Sequence, residues 1–117
     1  METDVYQLDR LRQKLSNEKV GWEEIKMFGG VCFMVDDKMC FGARKDGGLM
    51  VRVDPEDMDS FLEMDGVSRM IHGERVMKAF LFLTPEAIDS ESELDFWIRK
   101  CLDYNPRAKA SKKRKKS

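Results

Sequence analysis

The 117-residue chain has one histidine, three prolines and three cysteines. His72 has no cysteine within a metal-ligand spacing, and the cysteines at 32, 40 and 101 form no CxxC, so no metal site is expected. An odd cysteine count without a framework spacing excludes a disulfide scaffold and points to free thiols in a reducing compartment. No apolar run approaches the roughly 20 residues of a membrane span, so no membrane contact is expected. The first ten residues, METDVYQLDR, have neither a basic start nor an apolar core region. Secretion is therefore not expected, and the cytoplasm is the expected location.

Catalytic sets are equally scarce. Cys–His chemistry needs Cys32, Cys40 or Cys101 beside His72 and activated. All three thiols fall at apolar strand or helix-face positions, where burial makes a thiol inert. The acidic pairs Glu23-Glu24 and Asp36-Asp37 are adjacent in sequence, so in extended chain they point apart and read as solvated turns. The expectation is a chain that is not an enzyme, with no catalytic residues and no cofactor.

What is present is a charged single domain. Hydrophobic residues make up 42% of the chain, an ordinary share, and charged residues 37%, a high one. Seven of the 21 basic residues follow Pro106, where there are no acids. Residues 1–106 hold 14 basic residues against 22 acidic, a net of −8. An acidic domain at 1–106 and a basic tail at 107–117, expected to be disordered because it is too charged to pack, follow from this split.

The organising stretch is 26–53. VCFMV at 31–35 is short, apolar and β-prone, Asp36-Asp37 interrupts it, and residues 38–44 and 49–53 form two further runs around Asp46-Gly47, a strong hairpin signal. If both interruptions are two-residue loops, Phe33 faces Cys40 and Ala43 faces Met50. Side chains then alternate. One face carries Val31, Phe33, Val35, Cys40, Leu49, Val51 and Val53, with Lys38 and Arg44 out at the turns. The other carries Cys32, Met34, Met39, Phe41, Ala43 and Met50, with Arg52. A sheet with one wet face should alternate apolar and polar. This one is apolar on both sides, so either helices cover both faces or one face meets a partner.

Elsewhere, Val5, Leu8, Leu11 and Leu15 recur at helical spacing and predict a helix over 5–16, with Asp4 as N-cap. Trp22 reads as packing over a sheet end rather than stacking on a ligand. Asp54-Pro55 starts a helix over 55–64. Residues 67–71 and 76–83 predict two more strands. Ser90 with Glu93 is a capping box for a last helix that ends at Asn105-Pro106. The order is αβββαββα, an α+β domain.

MFGG at 27–30, the strand–DD–strand unit ending at FGAR, LMVRVDP at 49–55, and LTPE before the SELDFW helix resemble the N-terminal domain of the TfoX (Sxy) competence regulators. The resemblance covers about 22–102. It implies a two-layer fold, a five-stranded antiparallel sheet with helices packed on it, similar in outline to secretion chaperones. Full-length members carry a second, helical domain and regulate DNA-uptake genes alongside a cyclic-AMP-responsive activator. At 117 residues no room for that second domain is expected. The family supplies no catalytic residues.

Three features carry the functional expectations. Met27, Phe28, Gly29 and Gly30 form the structural motif. Gly29-Gly30 is read as a bulge or close packing at a strand start, with an anion-binding nest and small-molecule pocket as the alternative, because a strand rather than a P-loop helix follows. Met34, Met39, Phe41 and Met50 form a candidate interaction surface on one sheet face. Thioether chains repack easily and suit a protein partner or a homodimer; the plain reading is core beneath a helix. The tail cations Arg107, Lys109, Lys112, Lys113, Arg114, Lys115 and Lys116 suit weak, sequence-independent nucleic-acid contact, opposed by the acidic domain. No aromatics interleave with them, so base stacking is not expected. The leading expectation is a regulatory module working through protein contacts, and the second an auxiliary nucleic-acid binder.

Overall fold

Six antiparallel strands form one sheet in the computed structural model, which describes residues 5–27, 30–72 and 74–108. In chain order the elements are α1 (Val5–Glu18), β1 (Glu23–Met27), β2 (Gly30–Val35), β3 (Lys38–Ala43), β4 (Leu49–Arg52), α2 (Met58–Leu62), β5 (Val67–His72), β6 (Arg75–Leu83) and α3 (Glu91–Tyr104). The strands lie in the order β1-β2-β3-β4-β6-β5.

The α+β class holds, but the sheet has six strands rather than five. The added strand is β1, EEIKM, which lies ahead of the apolar run from which the first strand was expected. It is an edge strand, and edges tolerate charged residues that break the apolar alternation expected of a strand. Ahead of it, α1 ends at Lys19, whose φ of 61° turns the chain out of the helix. The Arg12 guanidinium forks onto Glu24, with both N–H···O distances 2.8 Å, and ties α1 to this edge.

The first hairpin turn is as the sequence implies. Asp36 and Asp37 have φ of 57° and 63°, a two-residue turn that pairs Val35 with Lys38. Beyond it the register departs. Met34 pairs with Met39 and Phe33 with Phe41, so Cys40 is an extra residue on β3, a β-bulge. Phe41 and Ala43 are thereby moved to the opposite face from the one expected. The second turn differs too. The Gly47 amide donates to the Arg44 carbonyl at 3.1 Å and the Arg44 amide to the Gly48 carbonyl at 3.0 Å. This is a three-residue loop with Gly47 in the left-handed region at φ 91°, not a two-residue turn, so Ala43 pairs with Leu49 instead of Met50. The two one-residue slips compensate, and β4 keeps its expected faces.

The helix after Asp54 is shorter than the expected 55–64. Asp54 caps a 3-10 turn, Pro55–Asp57, accepting from the Glu56 amide at 3.0 Å, and α2 is only five residues. The capping box of α3 is complete: the Glu93 amide donates to Ser90 Oγ at 3.1 Å, and the Ser90 amide donates to Glu93 Oε1 at 3.2 Å. Past α3, a 3-10 turn at Asn105–Arg107 carries the packed structure on to Ala108, which is buried.

All three helices pack on one side of the sheet. Leu11 and Leu15 of α1, Phe61 of α2 and Leu94, Trp97 and Ile98 of α3 meet Phe33, Phe41, Leu49, Val51, Leu81 and Leu83. Each such side chain contributes about 1.5–3 kcal/mol by leaving water. Phe33 and Phe41 stack with centroids 5.0 Å apart, and Trp97 meets Phe61 edge-on at 5.0 Å. Asn105 locks α3 to the first hairpin, its Nδ2 donating to the Val35 carbonyl at 3.2 Å, while Lys38 Nζ donates to the Asn105 carbonyl at 3.1 Å.

Candidate functional site

Among the described residues no helix lies on the other side of the sheet, yet that side is largely apolar. Cys32, Met50 and Met70 are buried there, with Met39, Phe80 and Phe82 packed against them. All six come from strands. In β4 and β6 the residues alternate strictly: Leu49, Val51, Leu81 and Leu83 face the helices, while Met50, Arg52, Phe80 and Phe82 face away. Water is kept off this side by the strands and by two arginines. The Arg44 guanidinium lies 3.9 Å from the Phe82 ring centroid and that of Arg52 5.4 Å from Phe80. Arg52 Nη1 also donates to the Met39 carbonyl at 3.4 Å, and desolvation lowers the pKa of this half-buried guanidinium.

Beside Arg44 the face opens into a cavity of about 320 Å³. Cys32, Met50, Met70 and Phe82 supply its apolar walls, and Gly42 part of its lining. A side chain at Gly42 would meet Met50 Cε at 3.2 Å and Cys32 Sγ at 3.4 Å, so the glycine keeps this space open. Burial pushes the Cys32 thiol up to about 11, which leaves it neutral and a poor nucleophile at ordinary pH.

The residues singled out in the sequence are distributed unevenly. Met39 and Met50 share one sheet face as expected, but no described helix lies over them, against the plain reading of core beneath a helix. Met34 lies opposite Met39 at the turn end of the hairpin, outside the buried cluster, in a shallow cleft with Trp22, Asp36 and Asp37. Phe41 is corrected: the Cys40 bulge turns it into the main core, fully buried. Gly30 is a site of close backbone approach, where an added Cβ would collide with the Ala43 carbonyl oxygen. The side chain of Met27, and Phe28 and Gly29 altogether, lie outside the described residues. So do Asp4 and the tail cations Lys109, Lys112, Lys113, Arg114, Lys115 and Lys116. Arg107, counted with the tail, instead belongs to the turn after α3. It pairs with Asp54 Oδ2 at 2.6 Å and lies over the Tyr104 ring.

The three thiols are free and buried, Cys32 on the helix-free face and Cys40 and Cys101 in the main core. Burial and the Cys40 side chain beside it push the Cys101 thiol well up. Among the described residues no group of His, Cys, Asp and Glu is placed to hold a metal ion. No helix among them is long and apolar enough to cross a membrane. Sequence reasoning placed Arg52 on the second face but missed Met70, Phe80 and Phe82 there, and expected Arg44 on the opposite side. The signal was present: residues 80–83 alternate Phe and Leu with the same period as β4.

A one-sided α+β sheet with a helix-free, methionine- and phenylalanine-rich face defines the class. The sequence model of the TfoX N-terminal domain matches residues 21–104, and the chain belongs to that family. The match begins after α1, which lies outside it. Neither a curated protein nor a solved structure matches the chain.

Proposed function

We propose that the chain is a non-enzymatic regulatory module that works through protein contacts on its helix-free sheet face. The family points to a regulatory, competence-related role. The observation that carries the reading is the distribution of cover among the described residues: three helices on one side and none on the other, where Met39, Phe80 and Phe82 are only half-buried and Ile71, at the rim of the cavity, is 57% exposed. Methionine and aromatic side chains are the residues that adapt to and anchor protein partners. Burial, which pushes the Cys32 and Cys101 thiols up, argues against a nucleophilic role for them.

The first partner to test is a second copy of the chain. Sedimentation equilibrium across a wide concentration range should show self-association that Met39→Lys abolishes. A monomer at the highest concentration ends the homodimer form. A pull-down from the native cell, wild type against Met39→Lys, then tests a heterologous partner, and identical captured sets end the reading.

A second reading is weak nucleic-acid contact through the basic tail. It is supported by the run of cations after Pro106 with no acid among them, and opposed by the net −8 of residues 1–106. With Arg107 engaged by Asp54, six cations remain beyond it. Removing residues 109–117 should abolish retention on DNA at low salt; unchanged retention refutes it.

A further inference from the structure

The geometry points to the cavity on the helix-free face as a binding site for a small amphipathic carboxylate: an aliphatic or aromatic body in the sulfur-lined interior, its carboxylate on Arg44. Three observations carry this. The cavity, at about 320 Å³, lies at the small end of ligand sites, which run from about 300 to 1,000 Å³. Its interior walls are the apolar side chains of Cys32, Met50, Met70 and Phe82. Arg44 is the one charged residue among its described lining residues.

Arg44 is held for this task. Its guanidinium carbon lies over the Phe82 ring, 3.9 Å from the centroid, and its Nη1 makes a loose 3.4 Å ion pair with Asp46, itself half exposed on the turn. A guanidinium has five donors, so one loose pair leaves a fork that matches a carboxylate in a bidentate fashion. A phosphate dianion would enter an apolar cavity with a single cation to balance it. An amine would face Arg44 directly. A neutral body would gain nothing from the arginine. The thiol of Cys32 is no obstacle to an anion: burial keeps it protonated. The alternative is that Arg44 merely caps the face by stacking, and the test separates the two.

The test follows amide shifts in a heteronuclear NMR titration of the full chain with octanoate, octanol and octylamine. Octanoate should shift the Cys32, Gly42 and Met70 amides saturably. Octanol should bind more weakly, and octylamine weakest. Arg44→Gln should weaken octanoate by about ten-fold or more, the worth of a charge-assisted hydrogen bond, and leave octanol unchanged. Arg99→Gln, on α3 across the sheet, should leave octanoate binding intact. Absence of saturation with octanoate, octylamine binding as tightly, or equal octanoate affinity in Arg44→Gln would each overturn the proposal. If Arg44→Gln fails to fold, the order of the three ligands on wild-type chain decides alone. The proposal does not rest on the protein-contact reading: a chain that sediments as a monomer at all concentrations still binds octanoate.

Discussion

Replacing Phe41 by alanine, beside Met39→Ala two positions away on the same strand, reads the β3 bulge directly. With the register expected from two-residue turns, both side chains would share the helix-free face, and both truncations would be mild. With the bulge at Cys40, Phe41 is fully buried in the main core and stacked on Phe33 at 5.0 Å, while Met39 remains half-buried on the other side. A fully buried Phe→Ala change costs about 3–5 kcal/mol through lost transfer energy and the cavity left behind. Truncating a half-buried methionine should cost roughly 1–2 kcal/mol, below the range for buried ones. Total stability for a domain of this size is about 5–15 kcal/mol, so Phe41→Ala should remain folded but lose a large part of it. Urea unfolding followed by tryptophan fluorescence suits the purpose, since Trp97 sits in the same core, 5.0 Å from Phe61. With a urea slope of about 1–3 kcal/mol/M, the Phe41→Ala midpoint should fall by about 2 M and that of Met39→Ala by less than half as much, at unchanged slope. Equal losses, or the larger loss at Met39, would return Phe41 to the helix-free face and refute the bulge.

Gly30→Ala should be destabilising by several kcal/mol or prevent folding, since its Cβ would collide with the Ala43 carbonyl, whereas Gly21→Ala, with open space around it, should shift the urea midpoint little. Asn105→Ala should cost about 1–3 kcal/mol in the same assay by leaving the buried Val35 carbonyl without its donor, and Asn105→Asp more, because it sets a second acceptor against that carbonyl. In acid, the Arg12 guanidinium holds the Glu24 carboxyl below its ordinary range, so the pair's stabilisation is present above about pH 4.3 and is lost as pH falls through the lowered folded value. For a pair this exposed the loss is about 0.5–1 kcal/mol, and Glu24→Gln should flatten the acid limb of a stability–pH curve by that amount. At the alkaline end Asp95 and Glu91 raise Lys14, so its contribution is complete below about pH 10.4 and fades as pH climbs through the raised value.

Much of the architecture is written in short-range chemistry. The Asp36-Asp37 turn, the Asp54-Pro55 start and the Ser90–Glu93 capping box each act through neighbours within a few residues, and each is where the sequence puts it. What was hidden is long-range. Nothing in KMCFGA marks Cys40 as the residue left without a partner; a bulge is a property of how two strands settle against the packed side, and it moved Phe41 and Ala43 into the core. Likewise β1 is a strand because β2 offers an edge to pair with, not because EEIKM has strand character. For the site, the two-sided apolarity of the sheet was legible, and so was the methionine pair Met39 and Met50. Its closure was not, because Met70, Phe80 and Phe82 are brought in from about 20–40 residues away by pairing of β6 with β4 and β5.

The two sides of the sheet are covered by interactions of different strength, and that difference is what separates scaffold from surface. On the helix side each buried Leu, Phe or Ile contributes about 1.5–3 kcal/mol within one continuous core. On the other side the outermost cover is two arginine–phenylalanine stacks, worth about 0.5–1 kcal/mol each at exposed positions and about 2 when desolvated. An incoming apolar group can displace a stack of that strength and recover the loss from the phenylalanine surface it covers. The same group cannot displace α3. Arginine serves here better than lysine would, because its planar head both lies flat on a ring and presents donors at its edge. The helix-free face is therefore only partly shielded from water in the free chain and open to exchange for a partner or ligand.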